Sequence, residues 1–343
     1  MRDALRRLLR YPNMAVQSAV AWALRSLILI TPNQIGQTLH LLKTDLEEEL
    51  AILNENPALH GRICVGLAQG LAVLVQISPF RPLYHSTNVL SDVWSIAISL
   101  LQLSGKSELR ISQVQIQAAW ILISSLMSCG NQFIKSHLNK LLLLWQNALP
   151  RPISKDIMAG RSATETQYLL LLKERALAAL GLFLRYNEKL MTLDLSKRIM
   201  TMLADTSAFV ARIPPFPAPE ETRNLSAHLQ LNDSIYRVKA QIFQCYTSLL
   251  RCDRRNTASS EILMTAISIF AEADSSMSMS ATTTRSTINT ALESPTLPED
   301  NFLWGITSYF KSLTIPGSDV RVEKPHWAIC NSELCHIEDQ VKT

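Results

Sequence analysis

Glycine is scarce in this chain, at 10 of 343 residues. It supplies the tight turns of β-hairpins and the loops that wrap phosphate groups, so its scarcity argues against an antiparallel β protein and a nucleotide-binding loop. Alternation of apolar and polar residues, the pattern of half-buried strands, is almost absent as well. The remaining composition is dominated by Leu, Ala, Ser and Ile and favours helices.

Charge is also limited, with 18% charged residues and a formal net charge of +4. Lys and Arg are scattered instead of forming a stripe, so the sequence gives no basis for nucleic-acid binding. The apolar fraction of 47% is enough for a large core. The chain is longer than a typical domain of ~100–200 residues, so two domains or one elongated repeat array is expected.

Cysteine is sparse, and the six residues are interpreted as free thiols of a reducing compartment, the first three buried in helices. They are Cys64, Cys129, Cys245, Cys252, Cys330 and Cys335. The N-terminal stretch MRDALRRLLRYP is amphipathic and lacks the apolar core of a secretory signal. A mitochondrial presequence is the alternative for this basic segment, although Asp3 and the continuation into helix argue against it.

No apolar run reaches the ~18–20 residues that a membrane span requires. The two longest are Val16–Ile30, which contains Arg25, and Ile63–Ile77, which contains two glutamines. Both are therefore predicted to be buried helices of a soluble protein. In the second, Gly66 and Gly70 share one face and are expected to let a neighbouring helix approach closely.

The stretch Glu108–Pro150 contains two helical patterns separated by Gly130-Asn131. The first is apolar around most of its circumference and the second on one face only. Gly130 is predicted to end the first helix and Asn131 to cap the second. An inner helix paired with a half-exposed one is the unit of an α-solenoid.

Similar patterns follow one another along the chain, and a loose repeat places small residues in the middle of several helices. We therefore predict an all-α protein, an α-solenoid of HEAT-like antiparallel helix pairs, over residues 1–273. Residues 274–298 form a predicted Ser/Thr-rich linker, and residues 299–343 a short amphipathic helix with an irregular tail. Ser162 and Glu165 form a predicted capping box, and Glu47–Glu49 is interpreted as a solvated face.

Catalytic templates are missing from the sequence: it contains no GxSxG, HExxH, Walker loop or GxGxxG motif. We therefore predict that the protein is not an enzyme and has no cofactor. A possible exception is the C-terminal group His326, Cys330, Cys335 and His336, whose residue types suit zinc. Their spacings match no closed tetrahedral site, so we interpret them as part of an unstructured tail and predict no metal.

Partner-binding candidates come from two places. Trp120 lies on the polar stripe of its helix with Gln113 and Gln117, and it either fills a gap between repeats or anchors a partner. The longest loop between predicted helices carries three cations. The complete candidate set is Trp120, Gln113, Gln117, Arg151, Lys155 and Arg161.

The central block resembles the HEAT-repeat-containing protein five family, the large accessory HEAT-repeat proteins of the clathrin adaptor pathway, with their fungal relatives. The resemblance rests on AWILISSLMSCG (119–130), KSHL (135–138) and LLLLWQNALP (141–150), and it is clearest from Leu100 to Arg212. Gln146 stands where the family pattern has Arg. Family members are far longer, so this chain looks like a segment.

The resemblance implies a cytosolic scaffold recruited to trans-Golgi and endosomal membranes. Its partners would be the clathrin adaptor complex and its accessory proteins, with membrane association through those partners, and its role retrograde traffic and protein localisation. Two alternatives remain open: a cargo-binding solenoid of the nuclear transport receptor type, which predicts an acidic inner surface, and a regulatory scaffold subunit of a kinase or phosphatase.

Overall fold

The structure is a computed structural model that describes residues 1–84, 88–149, 162–213 and 225–252, with two isolated positions at 264 and 267. Every element in these ranges is an α-helix or a short 3-10 turn, which confirms the prediction of an all-α protein. The chain divides into two compact units, Met1–Thr257 and Ala258–Thr343, and the described helices belong to the first. The predicted linker and tail lie outside the described residues.

The described part contains ten α-helices. They are α1 (Arg2–Leu8), α2 (Met14–Ile30), α3 (Ile35–Ala51), α4 (Pro57–Ile77), α5 (Asn88–Ser104), α6 (Leu109–Leu126), α7 (Asn131–Ala148), α8 (Ala163–Tyr186), α9 (Leu193–Ala211) and α10 (Leu225–Cys252). Short 3-10 turns occur at Pro32–Gln34, Ser78–Phe80, Pro82–Tyr84 and Glu188–Leu190.

The helices pack by one repeated rule. Each odd-numbered helix lies against the even-numbered helix that follows it, from α1 on α2 to α9 on α10. The even-numbered helices also pack in succession, α2 on α4, α4 on α6, α6 on α8 and α8 on α10. Because α4 and α6 have neighbours on several sides, almost all residues in their central turns are buried.

This packing corrects the helix pair predicted within Glu108–Pro150. The extensive contacts of α6 are with α4, α5 and α8, whereas α7 packs on α8. The pairs are therefore α5 with α6 and α7 with α8. Gly130, between α6 and α7, has φ 106° and ψ 151°, a conformation that essentially only glycine adopts.

Of the two helix caps predicted from the sequence, the structure confirms one and contradicts the other. In the capping box before α8, the Glu165 N–H donates to Ser162 Oγ at 3.2 Å and the Ser162 N–H donates to the Glu165 carboxylate at 3.0 Å, as predicted. Asn13, Asn56 and Thr192 cap α2, α4 and α9. Asn131 is the first residue of α7, where Gly130 holds the cap position without a side-chain bond, so the predicted Asn131 cap is wrong.

The two glycines of α4 allow a close approach, as predicted, to the chain segment that joins α1 and α2. A Cβ atom at position 66 would collide with the Leu9 carbonyl oxygen and the Gln17 amide, and one at position 70 with a Leu9 methyl group. Leu9 is fully buried, and Gln17 Nε2 donates to the Leu9 and Arg62 carbonyl oxygens at 3.2 and 2.8 Å. The glycines thus create the space in which α1 joins the core.

The longest apolar helix is enclosed by protein. The run Ile63–Ile77 is expected from the sequence to be too short for a membrane span, but the longer segment that contains it, Pro57–Phe80, is long and apolar enough to cross a membrane. In the fold, 78% of its apolar window is buried. The prediction of a buried helix at Ile63–Ile77 is confirmed. The earlier run, Val16–Ile30, buries only one face, on which Arg25 also lies.

Cysteine thiols lie in the helix interfaces. Cys64 and Cys245 are fully buried in helices, as predicted, whereas Cys129 lies just after α6 and, like Cys252, is partly buried. No disulfide links these four cysteines of the described residues. Burial raises the pKa of Cys64, Cys129 and Cys245 to about 12. These three thiols are protonated at neutral pH and have little nucleophilic character.

Candidate functional site

Of the six predicted partner-binding residues, the structure describes three, all on α6. Trp120 is 1% exposed, so it fills a gap between helices and offers no surface to a partner. Gln113 and Gln117 are half-buried on α6. Beside Gln113, Ser112 Oγ lies 2.8 Å from Tyr168 Oη of α8, which ties these two helices together. The other three candidates lie outside the described residues: Arg151, Lys155 and Arg161.

An ion-pair network joins α1, α3 and α4. Arg6 and Arg10 contact the Asp45 carboxylate at 2.5 and 2.9 Å, and Arg10 also reaches Glu49 at 2.6 Å. His60 Nδ1 of α4 lies 2.8 Å from the other Glu49 oxygen. The hydrogen bond to Asp45 raises the pKa of Arg6. The arginine pairs hold α1 and the segment that follows it against α3.

The network changes the interpretation of the acidic run on α3. Glu47 and Glu48 are exposed, but Glu49 is buried, as is Asp45 one turn before it. The prediction of a solvated face therefore holds for two of the three glutamates and is wrong for Glu49. Both buried carboxylates are occupied by cationic side chains, which gives them a structural role.

Side chains also bridge the next odd-numbered helices. Lys43 of α3 contacts Asp92 of α5 at 2.8 Å, and that hydrogen bond raises the pKa of Lys43. The Trp94 ring of α5 lies beside the His137 ring of α7, with centroids 4.6 Å apart. Within α7, the Phe133 ring lies 4.7 Å from the same His137 ring. Burial, with a smaller contribution from Lys140, lowers the pKa of His137, which favours the neutral ring. These contacts join α1, α3, α5 and α7 in series.

Sequence reasoning missed one exposed feature, which we call the apolar turn: Ile30, Phe80, Leu83 and Tyr84. Leu83 is 93% exposed and Ile30 is 81% exposed, and both aromatic residues are also exposed. The 3-10 turn Pro82–Tyr84 contacts the 3-10 turn that follows Ile30, so the two loops lie side by side. The available signal was a pair of prolines, at 79 and 82, interleaved with large apolar residues that continue no helical pattern.

Metal-binding chemistry has no candidate among the described residues, where no three His, Cys, Asp or Glu side chains could hold an ion together. The C-terminal group His326, Cys330, Cys335 and His336 lies outside them.

Comparison with known protein families and solved structures gives no match for this chain.

Proposed function

We propose that this chain is part of an α-solenoid that serves as a non-catalytic protein-interaction scaffold. The observation that carries the proposal is the packing rule: five helix pairs, each contacting the next through its even-numbered helix. Such an array grows by adding pairs and presents long rows of side chains, which suits the binding of other proteins over a wide surface.

The residues of the sequence resemblance serve packing in this scaffold. Trp145 and Leu141 are fully buried, and the Trp145 ring lies 5.3 Å from the Phe183 ring of α8. Through Trp145, the motif LLLLWQNALP thus holds α7 on α8. A repeat family would keep such residues for its architecture, and partners would contact the exposed residues of the same helices.

We further propose that the scaffold acts in clathrin-adaptor-linked traffic between the trans-Golgi network and endosomes. This part rests on the resemblance across Leu100–Arg212, a range that spans α6 to α9. The protein would be cytosolic and would reach vesicle membranes through the adaptor complex and its accessory proteins. Its contribution would be the positioning of those proteins.

Affinity capture of the tagged full chain from cell lysate, followed by mass spectrometry, tests this proposal. We expect adaptor and vesicle-coat proteins to be enriched. A matched control is Leu122→Asp, which places a charge at a fully buried site of α6 and should abolish that enrichment. If coat proteins are absent and a Ran-type GTPase is recovered with transport cargo, the chain is instead a cargo-binding solenoid. If kinase or phosphatase catalytic subunits are recovered without coat proteins, it is instead a regulatory scaffold subunit.

A further inference from the structure

The apolar turn exposes large side chains at the meeting point of two loops. The turn Pro82–Tyr84 rests against the start of α3, where a Cβ on Gly36 would lie 3.5 Å from the Tyr84 carbonyl oxygen. Leu83 and Ile30 nevertheless expose most of their surface. They protrude from a packed base. Transfer of an exposed leucine or isoleucine side chain from water into an apolar environment is favourable by ~1.5–3 kcal/mol.

The two chain segments that meet at the apolar turn carry charge of one sign. Residues 26–40 and 76–84 contain no aspartate or glutamate, and their only Lys or Arg is Arg81. Arg81 is exposed, with its guanidinium donating to the Phe80 carbonyl oxygen at 3.1 Å. Tyr84 adds an amphipathic ring beside it. Exposed apolar side chains next to an arginine and a tyrosine in the chain suit a membrane surface, where acyl chains lie beneath phosphate groups.

The backbone of the turn also suits that environment, because unbonded peptide groups oppose entry into a bilayer. Pro79 and the proline at 82 have no N–H group. The Arg81 N–H donates to the Ser78 carbonyl oxygen at 3.2 Å, and the Tyr84 N–H donates to the Arg81 carbonyl oxygen at 3.1 Å. Two backbone donors of the turn are therefore absent, and two more are bonded within it.

We propose that the apolar turn binds directly to anionic phospholipid membranes. Leu83 and Ile30 enter the outer acyl region, Tyr84 lies at the headgroups and Arg81 pairs with lipid phosphates. A lipid surface fits better than a protein partner because a bilayer accepts protruding side chains without a matching pocket. This contact goes beyond the proposed scaffold function, in which membranes are reached only through other proteins.

Co-sedimentation of the purified full chain with vesicles tests the proposal. One set contains phosphatidylcholine alone and the other an equimolar mixture of phosphatidylcholine and phosphatidylserine. We expect stronger binding to the anionic set, and ~10-fold weaker binding when the apolar side chain is removed in Leu83→Ser. Arg81→Gln should weaken anionic binding ~5-fold and leave the neutral set unchanged.

Leu143→Ser is the matched control, because Leu143 is 56% exposed on α7, away from the turn, and should leave binding intact. Circular dichroism verifies that each variant is folded. The proposal is overturned if the wild-type chain does not sediment with vesicles, or if Leu83→Ser binds as well as Leu143→Ser. It is also overturned if the chain forms a dimer in solution that Leu83→Ser dissociates, since the turn would then bind a second copy.

Discussion

Replacement of Gly66 by alanine tests how α1 is held against the core. In an ordinary helix interior, glycine to alanine is stabilising by ~1 kcal/mol because it raises helix propensity. At position 66, the added Cβ meets the Leu9 carbonyl oxygen, a backbone atom that cannot rotate away, and the Gln17 amide. We therefore expect Gly66→Ala to destabilise the fold.

The magnitude follows from three contributions. Overpacking of a tight interface costs ~1–3 kcal/mol. Displacement of the Gln17 amide, which bonds the Leu9 and Arg62 carbonyl oxygens, costs roughly 1–2 kcal/mol. The higher helix propensity of alanine offsets about 1 kcal/mol, so the free energy of unfolding falls by about 1–4 kcal/mol in total.

Urea unfolding followed by circular dichroism measures this loss as a lower transition midpoint. With a slope of ~3 kcal/mol per M, a loss of ~2 kcal/mol lowers the midpoint by about 0.7 M. Gly70→Ala should lower it less, because its Cβ meets the end of the Leu9 side chain, which can move.

Gly181→Ala is the matched control on α8. Its Cβ would lie 3.5 Å from Cys245 Sγ, an ordinary contact distance, so we expect a higher midpoint. If Gly66→Ala raised the midpoint as much as Gly181→Ala, the close approach of Leu9 to α4 would be refuted.

Two further predictions use the same unfolding assay. Asp45→Asn should lower the free energy of unfolding by ~1–3 kcal/mol, because it removes the buried partner of Arg6 and Arg10; the partial exposure of the two arginines limits the loss. Asp194→Asn, at an exposed ion pair, should lower it by less than ~0.5 kcal/mol. Equal costs would contradict the buried network. Stability should also fall as pH rises above ~8.5, by up to ~1.4 kcal/mol per pH unit for each buried thiol, since the unfolded chain ionises its thiols first. The thiols concerned are Cys64, Cys129 and Cys245, with pKa values raised to about 12. Cys245→Ala should reduce this slope, and an unchanged slope would contradict the assignment.

Local features were readable from the sequence because they depend on neighbouring residues. The helical period, the Ser162–Glu165 capping box and the small residues Gly66 and Gly70 each act within a few turns of one helix. Their positions in the structure match the predictions. The all-α class follows from them and from the near absence of strand patterns.

Pairing and burial were decided by the tertiary structure. An apolar face shows that a helix is covered, but it does not show by which helix, so the α5–α6 and α7–α8 pairs required coordinates. Trp120 shares a stripe with glutamines and is still buried, because α4, α5 and α8 all pack against α6.

Long-range contacts explain the remaining differences. Glu49 lies in an acidic run that looks solvated, yet Arg10, 39 positions earlier, pairs with it. The apolar turn shows the reverse: Leu83 resembles core residues in type but is left exposed, because the loop packs through other atoms. The sequence by itself determined where helices form, since that depends on local periodicity. Only the tertiary structure decided which charges are buried and which apolar residues face outward, since both depend on segments distant along the chain.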